Sequence, residues 1–405
     1  AGESATVTFD VQVIDDSGDV ATDTSAAQTV TLTVTGTNDQ PVVEAVNLNP
    51  TITTSYVETL VNTTTYHHQQ NSSLTGLADG GYVVSWTSFG QDGGLYGIYR
   101  QQYAADGSAV GTETQVNTYT SSNQLYPSIT GLADGGYVVA WESKGQDGDG
   151  DGIYTQRYAN DGIAVGTETQ VNTYTSSSQL YPSITGLADG GYVVSWQSSG
   201  QDGDGDGIYT QRYANDGIAV GTETQVNTHI NSSQQKPSIT DLADGGYVVS
   251  WQSYNQDGHS YGVYTQRYAS DGSTVGNETQ VNTYINYSQS GPSITGLVDG
   301  GYVVSWHSES QDESGYGIYT QRYASDGSTF GPETETRVNT YTTANQFFSS
   351  ITGLADGGYV VSWQSDGQDG GDYGIYIQRY ASDGSTVGLE TQVNTYTNID
   401  QEYPK

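Results

Sequence analysis

The chain of 405 residues contains no cysteine and no methionine, and sets only 10 Lys and Arg against 46 Asp and Glu. Without thiols there are neither disulfide staples nor thiolate-based metal or redox chemistry. A formal charge of -36, with no basic stripe to displace phosphate counterions, excludes nucleic acid and anionic membrane as partners. No stretch approaches the ~20 apolar residues of a membrane span, so no membrane insertion is expected. Ala1-Gly2-Glu3 opens the chain without a signal-peptide pattern, so it reads as a mature product or a fragment of a longer protein.

What is abundant is Gly (53) and Tyr (34). Residues 1-45 stand apart from the rest. Thr6 to Ile14 and Thr29 to Thr35 alternate β-branched and polar residues, as half-buried antiparallel strands do, with a turn at Asp15-Asp16-Ser17-Gly18. Two strands cannot enclose a core, so this is expected to be part of a larger β module.

From residue 46 onward the expectation is one domain, residues 46-405, built on a repeat. Trp86, Trp141, Trp196, Trp251 and Trp306 recur every 55 residues, and Trp363 follows after 57 because of a two-residue insertion within Glu333-Thr334-Glu335-Thr336. One unit contains Ser183 to Leu187, an Asp189-Gly190-Gly191 turn, Tyr192 to Trp196, a Gln201-Asp202 loop, Ile208 to Tyr213, an Asp216-Gly217 turn and Thr222 to Asn227. Four short strands with Asp-Gly signals between them make an antiparallel meander. A period near 55 suits a propeller blade and exceeds the roughly 20 to 30 residues of a solenoid coil. The predicted fold is therefore all-β: a six-bladed β-propeller of four-stranded antiparallel blades, preceded by a partial Ig/cadherin-like β segment. The last-strand segment occurs seven times, starting around Val61. An N-terminal copy completing the sixth blade would close the ring and leave one outer strand surplus.

Several constellations invite chemistry. Asp147, Asp149 and Asp151, and again Asp202, Asp204 and Asp206, alternate with Gly in Asp-Gly-Asp-Gly-Asp-Gly loops, an arrangement that either gathers oxygens around Ca2+ or forms solvated turns. The Asp after Gln in every blade reads as a turn cap. Arg157, Arg212, Arg267, Arg322 and Arg379 share one strand position, and Glu113, Glu168, Glu223, Glu278 and Glu390 another; an Arg-Glu or Arg-backbone clamp explains them better than a ring of anion receptors. The inter-blade connections carry Tyr119, Gln124 and Tyr126, then Tyr174, Gln179 and Tyr181. Rings and amides of this kind suit glycan or extended peptide, or have drifted freely. The five histidines fall at unrelated repeat positions and neither an acid pair nor a Ser-His-Asp arrangement is visible, so no enzyme is expected.

The repeat, with GGYVVSW, QDG, IYTQRY, SDGST and ETQVNTYT, resembles the tandem repeats of large RTX/VCBS-type bacterial surface adhesins. Val34 to Val42, with Asn38-Asp39 before Gln40-Pro41, resembles the end of a VCBS or cadherin-like module. That resemblance implies secretion to the bacterial cell surface, calcium dependence and adhesion, and places Asn38 and Asp39 near a metal, although they also read as a plain turn. The expectation is then a non-enzymatic, calcium-stabilised extracellular binding module contacting glycan or surface protein through propeller loops. The alternative is a filament, sheath or matrix subunit that pairs strands with other copies of itself.

Overall fold

The computed structural model describes the backbone of residues 3-11 and 28-36, and residues 58-331, 335-395, 397 and 400-405 in full. The chain divides into two compact units, Ala1–Val57 and Glu58–Lys405. In the first, Glu3–Val11 pairs antiparallel with Gln28–Gly36, with Phe9 opposite Val30. The Asp15 to Gly18 turn and the pair Asn38 and Asp39 lie outside the described residues.

The second unit is a six-bladed β-propeller of four-stranded antiparallel sheets, without helix among the described residues. Blade 3 shows the plan. Its inner strand is Gln179–Gly186, followed by Tyr192–Ser199, Asp206–Tyr213 and the outer strand Ala219–Gln225. The two middle strands pair without a break, Trp196 opposite Tyr209, whereas inner and outer strands each carry a bulge. Alternation then sorts side chains between two faces. Tyr192, Val194, Trp196, Tyr209 and Tyr213 face blade 2 and form one cluster with its Val138, Ala140 and Ile153, while Val193 and Ile208 join blade 4 around Trp251. Both faces of blades 2 to 5 are apolar because each is sandwiched between two others.

Each blade is continuous in sequence. The sixth takes its outer strand from its own Thr386–Gln392, which corrects the expectation that the N-terminal copy around Val61 completes it: residues 58-68 join no sheet. The two-residue insertion shortens the fifth blade's outer strand to Thr336–Arg337.

Connections between blades are held by one asparagine per repeat, buried in the first five repeats and half-buried as Asn394 in the sixth. In blade 3, Asn227 Oδ1 accepts the N–H of Ile208 at 2.7 Å, and its Nδ2 donates to His229 O at 2.8 Å and to Gln234 Oε1 at 2.9 Å. Replacing Asn227 by Ala leaves the Ile208 N–H without a partner and the fully buried Gln234 Oε1 without its donor, while Gln234 Nε2 keeps Asn231 O and Ser253 Oγ, at a cost of about 2-3 kcal/mol. Urea unfolding of Asn227→Ala should show the midpoint falling with little change in slope.

Candidate functional site

The inner strands surround an axial funnel of roughly 560 Å³, within the range of small-ligand pockets. Its wall is built from one recurring device. In each inner strand the pairing register slips between the second and fifth residues, as between Leu180 and Ser183 in blade 3. At the slip, Tyr126, Tyr181, Lys236 and Phe348 adopt φ of 50, 54, 53 and 50°, with Asn71, Gly291 and Tyr403 likewise left-handed. Left-handed Tyr and Lys directly before Pro are strained, by about 1-3 kcal/mol each. A bulge re-aims side chains, and here it turns Tyr126, Tyr181, Lys236 and Phe348 into the funnel lining. Tyr126 and Tyr181 lie 5.1 Å apart between ring centroids.

Behind this ring, the residue after the Trp holds the strained backbone in blades 2, 3, 4 and 6. Lys236 N donates to Gln197 Oε1 at 3.3 Å, Gly291 N to Gln252 Oε1 at 2.9 Å, and Tyr403 N to Gln364 Oε1 at 3.1 Å. In blade 2 the acceptor is an acid: Tyr181 N donates to Glu142 Oε1 at 2.5 Å. Glu142 is almost wholly buried, and burial pushes its carboxyl up to about 8, with Asp151 adding to the rise and the Tyr181 N–H opposing it. At neutral pH it is a protonated acid. Tyr126 is pushed up to about 12, mainly by burial, and Tyr181 is raised by burial and by Glu142. Blade 5 has His307 in the same place, shut in the core, its Nε2 2.9 Å from Ser290 Oγ and its pKa pressed down to about 3 by burial.

The funnel also concentrates positive charge. Of the three lysines in the chain, Lys236 and Lys405 line it. Burial lowers the pKa of Lys236, the reverse of what a nearby carboxylate would do, so its ammonium lacks compensation that an anion entering the funnel would provide.

The residues singled out from sequence divide among several roles. Tyr126 and Tyr181 reach the funnel. Gln124 and Gln179 are fully buried and accept hydrogen bonds from Asn117 and Asn172, so they brace the connections. Tyr119 and Tyr174 sit half-buried on those connections, their carbonyls accepting from the same asparagines. Asp147 accepts from Asp149 N and from Asn172, Asp149 from Ser177 N, and Asp151 from Ser178 Oγ. In blade 3, Asp202 accepts from Asp204 N and Asn227, Asp204 from Ser232 N, and Asp206 from Gln235. The loop carboxylates thus fan out to separate partners, and among the described residues no three His, Asp or Glu side chains gather as a metal-holding group. The Asp that follows Gln caps its turn, Asp92 Oδ1 accepting Gly94 N at 2.8 Å. In blade 3 that same Asp202 would stand 2.6 Å from a Cβ at Gly207, which is why glycine is needed there.

The Arg and Glu rows form two clamps rather than one. Arg212 donates to Ser270 O and Arg267 to Ser325 O, each at 2.6 Å and each into the next blade's turn. In the first blade Gln102 donates to Asn160 O at 2.8 Å and Arg100 to Gly162 O at 2.6 Å, sharing the task. Glu223, by contrast, accepts from Thr173 N at 2.8 Å across a junction.

Glu142 and Lys236 were absent from the sequence-based candidates. Their signal lies in aligning the repeats: Thr87, Glu142, Gln197, Gln252, His307 and Gln364 occupy one position, and Tyr126, Tyr181, Lys236, Gly291 and Phe348 another. A single Glu in a glutamine row is easily passed over as drift until the row is seen to encircle the axis.

Neither a protein-family model nor a curated protein sequence matches the chain. Solved structures do share its fold. An α-L-arabinofuranosidase from Fusarium graminearum, in complex with an iminosugar inhibitor, is 12% identical with a TM-score of 0.52, covering 77% of this chain and 93% of its own. An α-L-arabinanase from Penicillium chrysogenum, complexed with arabinobiose, is 14% identical with a TM-score of 0.51, covering 76% and 92%. A sialidase from Streptococcus pneumoniae is 9% identical with a TM-score of 0.52, covering 84% of this chain and 72% of its own. At these identities the likeness establishes the propeller fold. That the fold is carried by glycosidases overturns the expectation of a non-enzymatic adhesin module or filament subunit. That expectation rested on finding neither a clustered acid pair nor a Ser-His-Asp arrangement; Glu142, buried behind the funnel tyrosines, is not one of the acids of the repeat motif.

Proposed function

We propose that the axial funnel binds the terminal residue of an acidic glycan and cleaves its glycosidic bond, with Glu142 as proton donor. The observation that carries this is a carboxyl held protonated near neutral pH directly behind two funnel tyrosines. Glycoside cleavage pairs such an acid with an ionised carboxylate. Asp151, the carboxylate whose charge adds to the rise of Glu142, fills the second role. The rings of Tyr126 and Tyr181 offer sugar-stacking faces, and Lys236 meets the carboxylate of the sugar. The overall charge of -36 repels long polyanions, which favours a chain end entering the axis over an internal stretch. An extracellular setting, where such glycans lie, fits this reading.

The test is hydrolysis of a panel of aryl glycosides: sialosides and uronides alongside neutral arabinosides. Glu142→Gln keeps the hydrogen-bond acceptor that glutamine supplies in blades 3, 4 and 6, and should lower kcat about 10²-10⁴-fold while leaving KM nearly unchanged. Wild-type kcat/KM should fall as pH rises through about 8, as expected for an essential acid. Absence of turnover across the panel, or full activity in Glu142→Gln, would overturn the proposal.

Calcium is proposed for the two Asp-Gly loops on their composition, since flexible glycines let the carboxylates turn inward. Millimolar CaCl2 should raise the melting temperature above that in NaCl of equal ionic strength; equal values would remove the metal.

A further inference from the structure

We infer that the junction between blades 6 and 1 is a docking slot for a β-hairpin of the repeat's own type. This goes beyond the glycan reading and does not depend on it.

Around the rim, the bonds that link successive repeats complete a circuit of seven steps, although the complete blades number six. Thr63 N donates to Glu113, Thr118 to Glu168, Thr173 to Glu223, Thr228 to Glu278, Thr283 to Glu335 and Thr340 to Glu390. The seventh step is Thr395 N to Glu58 Oε1 at 2.5 Å, across 337 residues. Toward the axis the same count appears. The Asn-to-Gln brace runs from Asn62-Gln69 through the blades and recurs as Asn394-Gln401 at 3.0 Å. Tyr403 then takes the strained, funnel-facing conformation of Tyr181, and its N–H meets Gln364 as Tyr181 meets Glu142. Residues 58-63 thus stand where an outer strand ends, and residues 401-405 where an inner strand begins, of a seventh station between blade 6 and blade 1.

The two faces that flank this station are apolar and more open than their counterparts. Five junctions are filled by clusters of ten or eleven buried residues, each centred on a Trp. At the sixth, the cluster on blade 1 holds only Val84, Trp86, Tyr99 and Tyr103, with Val61 and Tyr82 partly buried beside them. Leu74 is 52% exposed where Ile129 to Ile351 are 6 to 7% exposed, and Val393 is 49% exposed where Val116 to Val338 are 2 to 4%. Val360 and Ile375 are half-buried although their counterparts Val193 and Ile208 are fully enclosed. The clamp reports the same thing: Arg157, Arg212, Arg267 and Arg322 all reach the next blade, while Arg379 donates to Asp356 of its own blade.

The occupant is fixed by what borders it. Between an inner-strand start and an outer-strand end of this repeat lie its two middle strands, with the pattern Gly-Gly-Tyr-Val-Val-Ser-Trp and Ile-Tyr-Thr-Gln-Arg-Tyr. Their Trp would meet Val360 and Ile375 as Trp196 meets Val138 and Ile153, and their Val and Ile would cover Leu74 and Trp86. The turn that follows them, in the place of Ser270 and Ser325, would offer a carbonyl to Arg379.

The experiment appends residues 184-225 of the chain itself after Lys405, and compares the full chain with and without this tail by hydrogen exchange. The expected result is at least about tenfold slower exchange around Leu74, Val360 and Val393, and a slot that no longer binds an apolar dye. A control tail with its Tyr, Val, Ile and Trp replaced by Ser gives neither effect. If the apolar tail stays protease-sensitive and exchange at those residues is unchanged, the inference fails. It also fails if the untailed chain is a dimer in which those residues are already protected, because a second copy then covers the junction.

Discussion

The stability of the protein will fall as pH rises from about 4.5 to 8, and Glu142→Gln will remove that slope. Glu142 has its carboxyl raised by burial to about 8, so between the ordinary carboxylate value and 8 the folded chain keeps a proton that the unfolded chain gives up. Stability therefore declines with pH across this window and levels off above it. The size follows from the shift: about 5 kcal/mol. The other 45 acids add their own repulsion over part of the range, so the diagnostic quantity is the difference between wild type and variant. Denaturant unfolding at several pH values should give curves that differ little near pH 4.5 and diverge in favour of the variant by pH 8.5. Parallel curves would show that Glu142 is ionised in the folded state, and would remove the proton donor from the proposed mechanism. The variant is a fair probe because glutamine already serves at this position in Gln197, Gln252 and Gln364.

Trp251→Ala should cost about 3-5 kcal/mol. Trp251 is wholly buried, packed among Leu187, Val193 and Ile208 of the preceding blade, and the cavity would sit between two rigid sheets that cannot close over it. Trp251→Phe should cost distinctly less, since the indole N–H has no protein hydrogen-bond partner to lose. Because each blade touches only its neighbours, the alanine variant should also exchange faster at both faces of that junction while blades 1 and 6 keep their protection. Uniform loss across the ring would mean that the propeller unfolds as one unit rather than junction by junction.

The repeat made the blade legible without coordinates. Tryptophans at a constant interval, Asp-Gly turns and alternating Tyr, Val and Trp specify a four-stranded meander that is apolar on both faces, and such a sheet can be stable only between two others. The row of Arg residues likewise points to a clamp onto Glu or onto backbone, and the backbone form is the one found; Glu168, Glu223 and their equivalents instead bind threonine N–H groups across a junction, because the bulge in the outer strand places them there. Left-handed Tyr126, Tyr181 and Lys236 leave no trace in composition, since residues before proline ordinarily avoid that region.

Sequence by itself determined the blade, its multiplicity and the apolar pairing of blade faces, because these follow from local alternation and turn chemistry repeated at a fixed period. Tertiary structure alone decided what the repeat encloses. Assembly of the blades carries one position of every copy behind the funnel wall, where Glu142, in a row with Thr87, Gln197, Gln252, His307 and Gln364, is buried and its carboxyl pKa raised by desolvation. Closure of the ring decides the spacing of the stations, since the rim bonds from Thr63 to Glu113 around to Thr395 and Glu58 set the angle between blades, and no single repeat contains that angle.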